Sequence, residues 1–135
     1  MSGDKDDKFG TLYKEQTGSL YTIEELVKRS MVDSDNTAHF MLLRNLELSE
    51  INDVYAHMGL DGFLETNGNI SAKRYAVVLR ALYNSSYLSE ASSQKIISFL
   101  SEEPFRDYLG SGFSNDTIFA HKIGVDTDRK IYLDS

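Results

Sequence analysis

The chain has 135 residues, no cysteine, and 14 Lys plus Arg against 21 Asp plus Glu, for a formal charge of -7. That length fits one domain or a large piece of one, able to bury about two-thirds of its unfolded surface. With 41% hydrophobic and 26% charged residues, wholesale disorder is excluded; the acidic balance lacks the basic footprint for nucleic acid or an anionic membrane; and no disulfide framework, thiolate metal site or cysteine nucleophile is possible.

No apolar run approaches the roughly 20 residues that span a bilayer, and the opening "MSGDKDDKFG" has no apolar leader core. A leader in a longer parent stays open. Residues 1 to 21 mix charge with Gly10 and Gly18 and read as a loop or a short extended lead-in, with residues 22 to 135 as a single, incomplete domain. In "TIEELVKRSM", Thr22 and Glu25 have capping-box spacing, and Ile23, Leu26 and Val27 share one face, so a helix begins at Thr22. After "VDSDN", the run "TAHFMLLRNL" is dense enough in apolar residues, from Phe40 to Leu43 above all, to predict a central helix buried on most sides.

"SEINDVYAHMG" offers Ser49 as a cap and Gly59 as a stop. Residues 59 to 70, "GLDGFLETNGNI", read as a loop of about a dozen residues. Two more helices follow. "SAKRYAVVLRALYN" starts at Ser71 with Tyr75, Val78, Leu79 and Leu82 on one face, and "SEASSQKIISFLS" starts at Ser89 and is ended by Pro104. "DTIFAHKIG" and "KIYLD" then read as two strands joined by the turn "VDTDR". Because a two-stranded hairpin is marginal alone, further strands are expected in a larger parent.

Two short motifs carry chemistry: Ser34-Asp35-Asn36 ahead of the apolar helix, and His121-Lys122-Ile123-Gly124 near the end. Taken alone, the triplet is a helix N-cap in which Asp35 or Asn36 accepts backbone N–H groups. A calcium loop opening at Asp33 fails, since Thr37 is a poor ligand, Ala38 replaces the needed glycine and Arg44 the needed glutamate. Asp126 and Asp128 are followed by Lys130 and read as a solvated turn. His39, His57 and His121 are dispersed without metal spacing, so no metal and no cofactor are expected.

The order and surroundings of the two motifs resemble the penicillin-recognising serine hydrolases, particularly class A β-lactamases, whose signatures are S-x-x-K, S-D-N and K-T-G. "YTIEELVKRSMVDSDNTAHFMLLRNL" and "ISAKRYAVVLRALYN" are similar to helices of that family's helical lobe, and "FAHKIG" to the edge of its sheet. The implied fold is mainly α: the helical lobe of a β-lactamase-like α/β serine hydrolase with a short C-terminal β-hairpin. The implied activity is acyl transfer from, and hydrolysis of, a β-lactam or a peptidoglycan-like amide, in an extracytoplasmic setting. By this resemblance, Ser34 relays a proton to the leaving nitrogen, and Asn36 binds the substrate amide and orients the nucleophile's lysine. Lys122 supports Ser34 and attracts a substrate carboxylate, with Ile123 and Gly124 beside it on the same strand.

Three departures stand against full activity. The S-x-x-K spacing occurs only at Ser2–Lys5 and Ser92–Lys95, and neither precedes an apolar helix upstream of the triplet. Ile123 stands where the family has a threonine, removing a hydroxyl that helps hold the carboxylate. The segment between the helices is short, and Glu65, six residues before Ser71, is no assignable base. The expectation is a part of such a hydrolase, inactive by itself, whose uncovered apolar surface favours self-association or a complementing fragment. The rival expectation is a non-catalytic binding or scaffold domain that keeps the fold without the chemistry.

Overall fold

Thr22 starts helix α1, Ile23–Val32, by accepting the Glu25 N–H on its hydroxyl at 3.1 Å. Only that half of the anticipated capping box is used, because the Glu25 carboxylate turns to Arg29 at 3.0 Å. Helix α2 spans Asn36–Leu43, α3 Leu48–His57, α4 Ala72–Tyr83 and α5 Glu90–Ser101; strands β1, Ile123–Asp126, and β2, Ile131–Asp134, pair antiparallel. The computed structural model describes residues 3–63, 70–114, 116–126 and 129–135. Ser2, Glu65 and Asp128, each considered above, lie outside the described residues.

The described chain divides into two compact units, Met1–Leu43 with Ile96–Ser135, and Arg44–Lys95. In the second, Ser71 caps α4 by accepting the Arg74 N–H at 3.3 Å, and Ser89 caps α5 by accepting that of Ser92 at 3.2 Å. Gly59, at φ 66°, ends α3, with the Leu60 N–H returning to the Tyr55 carbonyl at 2.8 Å. The cap of α3 is Glu47, whose N–H is bonded by the Glu50 carboxylate at 2.8 Å; Ser49, expected to cap it, lies inside the helix.

The first unit holds the core. Leu12, Leu26, Ala38 and Met41 are buried against one another, with Tyr21 and Leu42 packed alongside. Burying a leucine such as Leu12 or Leu26 contributes about 1.5–3 kcal/mol. Leu12 comes from the lead-in read as a loop; its short 3-10 turn, Leu12–Lys14, carries too few residues to display a period.

Three expectations are corrected. Helix α2 is not buried on most sides: Phe40 and Leu43 are exposed by 41% and 37%, and the chain leaves the helix before Leu46. Eight residues make barely two turns, and only the Thr37, Ala38 and Met41 side packs inward. The face shared by Ile23, Leu26 and Val27 is not packed along its whole length, since Ile23, at the first helical position, is 75% exposed while Leu26 is buried. The first strand starts at Ile123 instead of Asp116 and takes in Val125 and Asp126, which had been placed in the turn, because pairing requires an opposite residue and β2 supplies four from Ile131 to Asp134.

Asp35 ties these pieces together. It is 1% exposed, and its carboxylate accepts the N–H groups of Thr11 at 2.7 Å, Leu12 at 2.8 Å and Ala38 at 3.0 Å. One oxygen thus caps α2 while the other holds the 3-10 turn. Gly10, at φ 82°, is required beside it, since an added Cβ would lie 2.1 Å from the Asp35 Oδ2. Asp35→Ala, which strands three donors, should lower unfolding stability by about 3 kcal/mol or more, and Gly10→Ala by about 2–4 kcal/mol. Urea melts of the two variants measure both losses, and a change below about 1 kcal/mol for Asp35→Ala would contradict this account.

Candidate active site

The loop between α1 and α2 is tight. Ser34 takes a left-handed conformation at φ 52°, while the N–H of Asp35 reaches back to the Arg29 carbonyl at 3.2 Å. Serine adopts that region only when its neighbours impose it, and here the α1 end and the buried Asp35 do so. Ser34 is thereby turned toward Lys122, 88 residues away, whose ammonium donates to the Ser34 hydroxyl.

Lys122 lies just before β1. It exchanges backbone hydrogen bonds with Ser135, at 2.9 and 3.2 Å, which leaves the Ile123 N–H on the outer edge of the hairpin. Glu103 meets that edge. Its fully buried carboxylate accepts the Lys122 ammonium at 3.0 Å and lies 3.3 Å from the Ile123 nitrogen through each oxygen. Behind it, His121 Nδ1 lies 2.9 Å from Asp134, whose other oxygen accepts the Leu109 N–H at 2.9 Å. His121 Nε2 is 3.6 Å from Glu103, beyond hydrogen-bond length.

Asn36 opens α2. Its amide nitrogen donates to the Asp6 carboxylate at 2.9 Å, and Thr37 and Asp6 bond each other through hydroxyl and backbone at 3.0 and 3.2 Å. The Asn36 bond, with the Lys8 N–H, holds the Asp6 carboxyl below its ordinary 3.8. Glu15 is lowered from 4.5 by the Tyr21 hydroxyl and then by Arg29, at 2.6 and 2.7 Å. Partial desolvation lowers the His39 imidazole from 6.5, favouring its neutral form, although the residue keeps an exposed face.

A cavity of about 260 Å³ joins these parts, and Ser34, Asn36, Lys122, Ile123 and Gly124, the residues singled out from the two motifs, all line it. Asp35 is the cap of α2, and Asn36 is its first helical residue. Glu103 was missed. It is the second of two adjacent glutamates, and only the fold distinguishes it, burying its side chain completely while leaving that of Glu102 48% exposed beside Lys28. Phe9 and His39 also line the cavity without any motif to mark them. No group of three or more His, Cys, Asp or Glu placed to hold a metal occurs among the described residues.

The sequence model of the β-lactamase enzyme family matches residues 2–131. The chain belongs to that family. Its fold is similar to the structure of PBP-A, at 22% identity and a TM-score of 0.78, with 90% of this chain covering 49% of that one. A PBP-A mutant in an acyl-enzyme complex with penicillin G aligns equally well, with a TM-score of 0.78 at 22% identity over 91% and 50% of the two chains. A β-lactamase from Sphaerobacter thermophilus gives a TM-score of 0.76 at 23% identity over 92% and 52%. The chain therefore spans about half the length of these β-lactamase-like structures. No curated protein matches it. Among the described residues, no helix is long and apolar enough to cross a membrane.

Removing Lys122 from this arrangement leaves the Glu103 charge buried and unpaired. Lys122→Met should cost about 2 kcal/mol, less than a fully buried pair because the lysine is partly exposed, and adding Glu103→Gln should recover at least half of the loss. Additive losses in the double variant would show that the two side chains are not coupled.

Stability should fall in two stages as the medium is acidified. The unfolded His39 takes up a proton near 6.5 while its folded form resists, so stability held above that pH declines below it. Asp6 and Glu15, depressed in the folded state, contribute stability above 3.8 and 4.5 that is lost as pH falls further through their folded values. Urea midpoints from pH 8 to 3 test this, and His39→Leu should remove the first stage alone.

Proposed function

We propose that this chain forms part of a β-lactamase-like serine hydrolase and supplies two facing walls of its acyl-transfer cleft. The observation that carries the reading is the bond between the Lys122 ammonium and the Ser34 hydroxyl across 88 residues of sequence. An ammonium can only donate, so the Ser34 oxygen acts as acceptor and its own proton remains available. In the proposed reaction a serine outside these two walls attacks the amide carbon. The new C–O bond forms and the C–N bond breaks; the attacking serine's proton is taken up on the nucleophile's side and relayed to the Ser34 oxygen as Ser34 gives its own proton to the departing nitrogen, so the Ser34 hydroxyl is regenerated. Asn36, held through its amide nitrogen by Asp6, offers its oxygen to the substrate N–H.

The chain by itself is proposed to be silent toward β-lactams. Ser30, the other serine lining the cavity, is followed three residues later by Asp33 instead of a lysine. Ser92, which does precede Lys95 at that spacing, belongs to the Arg44–Lys95 unit and bonds Ser89 at 2.9 Å. The second reading, a ligand-binding domain without chemistry, is favoured by Ile123 in place of a hydroxyl-bearing residue.

Mass spectrometry after exposure to penicillin G, together with a chromogenic β-lactam assay, should find an unmodified chain and no turnover. A stoichiometric adduct would overturn the silence. Where a nucleophile-bearing segment is joined to this chain and acylation is restored, Ser34→Ala should slow it by ~10²–10⁴-fold, and an unchanged rate would remove Ser34 from the reaction.

A further inference from the structure

Glu103, His121 and Asp134 form a buried ionisable cluster to which the reaction proposed above gives no task; their side chains are exposed by only 0%, 3% and 4%. The imidazole stands between the two carboxylates. Its Nδ1 lies 2.9 Å from the Asp134 Oδ1, and its Nε2 lies 3.6 Å from the Glu103 Oε2. An ionised carboxylate only accepts, and a neutral imidazole has one N–H to give. The two distances assign that proton to Nδ1, which is within hydrogen-bond length, and leave the Nε2 lone pair facing a second acceptor across the longer gap. Two cations stand nearby, each one group removed from the ring. Lys122 occupies the other oxygen of Glu103 at 3.0 Å, and Arg106 lies over the Phe119 ring at 5.0 Å, with Phe119 itself 4.6 Å from the imidazole.

We propose that His121 is a positioning residue for the β1 wall of the cavity and works as a proton-operated clamp between Asp134 and Glu103. Imidazole is the side chain whose charge ordinarily changes between about pH 5 and 8. A proton taken from solvent at Nε2 makes both ring nitrogens donors, and the 3.6 Å contact closes into a charge-assisted hydrogen bond of about 2.8 Å. Glu103 then holds Lys122 on one oxygen and His121 on the other. The same carboxylate meets the Ile123 N–H at 3.3 Å, and Asp134 holds the Leu109 N–H at 2.9 Å. The closed clamp therefore ties the edge of β1 to β2 and to the turn at Leu109. Loss of the proton reopens the gap and leaves the β1 edge on Glu103 alone. What this does for the cleft rests on the reading proposed above, whereas the clamp itself needs neither ligand nor turnover.

The test is an NMR titration of the 135-residue chain from about pH 8 to 5 without ligand, following the His121 ring nitrogens and the Ile123 and Leu109 amides. At the alkaline end the proton should reside on Nδ1. On acidification Nε2 should take up a proton, and the Ile123 amide should shift with the same midpoint. His121→Asn keeps a donor toward Asp134 but cannot take up a proton, so the Ile123 response should be lost while the Leu109 amide stays at its wild-type position. His39→Asn removes the imidazole that lines the cavity and should leave the response intact. A response that disappears with His39 instead overturns the clamp. So does a proton on Nε2 at the alkaline end, an Nε2 that titrates while Ile123 stays still, or a His121 whose charge is fixed across the whole range. If His121→Asn fails to fold, the wild-type midpoints and His39→Asn still decide. None of these failures touches the proposed acyl transfer, which its own adduct and rate measurements decide.

Discussion

The Asp35 carboxylate is the constraint on which the site depends. A buried carboxylate must be satisfied, and this one is satisfied only if the 3-10 turn of the lead-in and the first turn of α2 arrive together. Their convergence brings Leu12 onto Leu26 and Met41 and leaves room only for glycine at position 10. It also dictates the residues on either side. Ser34 is forced into a left-handed turn, and Asn36 becomes the first residue of a helix whose start is held by Asp6. The middle residue of the triplet therefore works for the fold, and that work sets where its two neighbours lie on the cavity wall.

The second wall is assembled by a different device. A hairpin edge normally presents unpaired N–H groups to water or to another strand. Here Glu103 occupies the position by Ile123 and takes the Lys122 ammonium on the same carboxylate, so one buried side chain both ends the ladder and aims the lysine at Ser34. His121 and Asp134 form a further polar pair behind it, which holds the second strand and the Leu109 backbone in the same network. The Lys122 charge is thereby paired with a fully buried carboxylate at 3.0 Å.

Much of the helical framework could be read from the chain because caps and stops are local. Thr22, Ser71 and Ser89 begin helices where their hydroxyls can accept a nearby N–H, and Gly59 ends one where a positive φ is needed. Local density of apolar residues was a poorer guide. It suggested an α2 buried all round, whereas Phe40 and Leu43 face outward, since burial depends on what other elements bring to each side. The start of β1 was misplaced for a related reason: a strand exists only where a partner lies opposite, and the partner is set by β2.

By itself, the sequence determined the run of helices, the two motifs and, through their order, the resemblance to β-lactamases. These are properties of neighbouring residues and of spacing along one chain. The tertiary structure alone decided that Ser34 and Lys122 touch, that Glu103 rather than Glu102 is buried between the hairpin and the lysine, and that Leu12 belongs to the core. Each of those facts joins segments far apart in the chain. The pairing of a charge, the burial of a carboxylate and the closing of a cavity are set by what the fold brings within a few ångströms, and no local pattern encodes that distance.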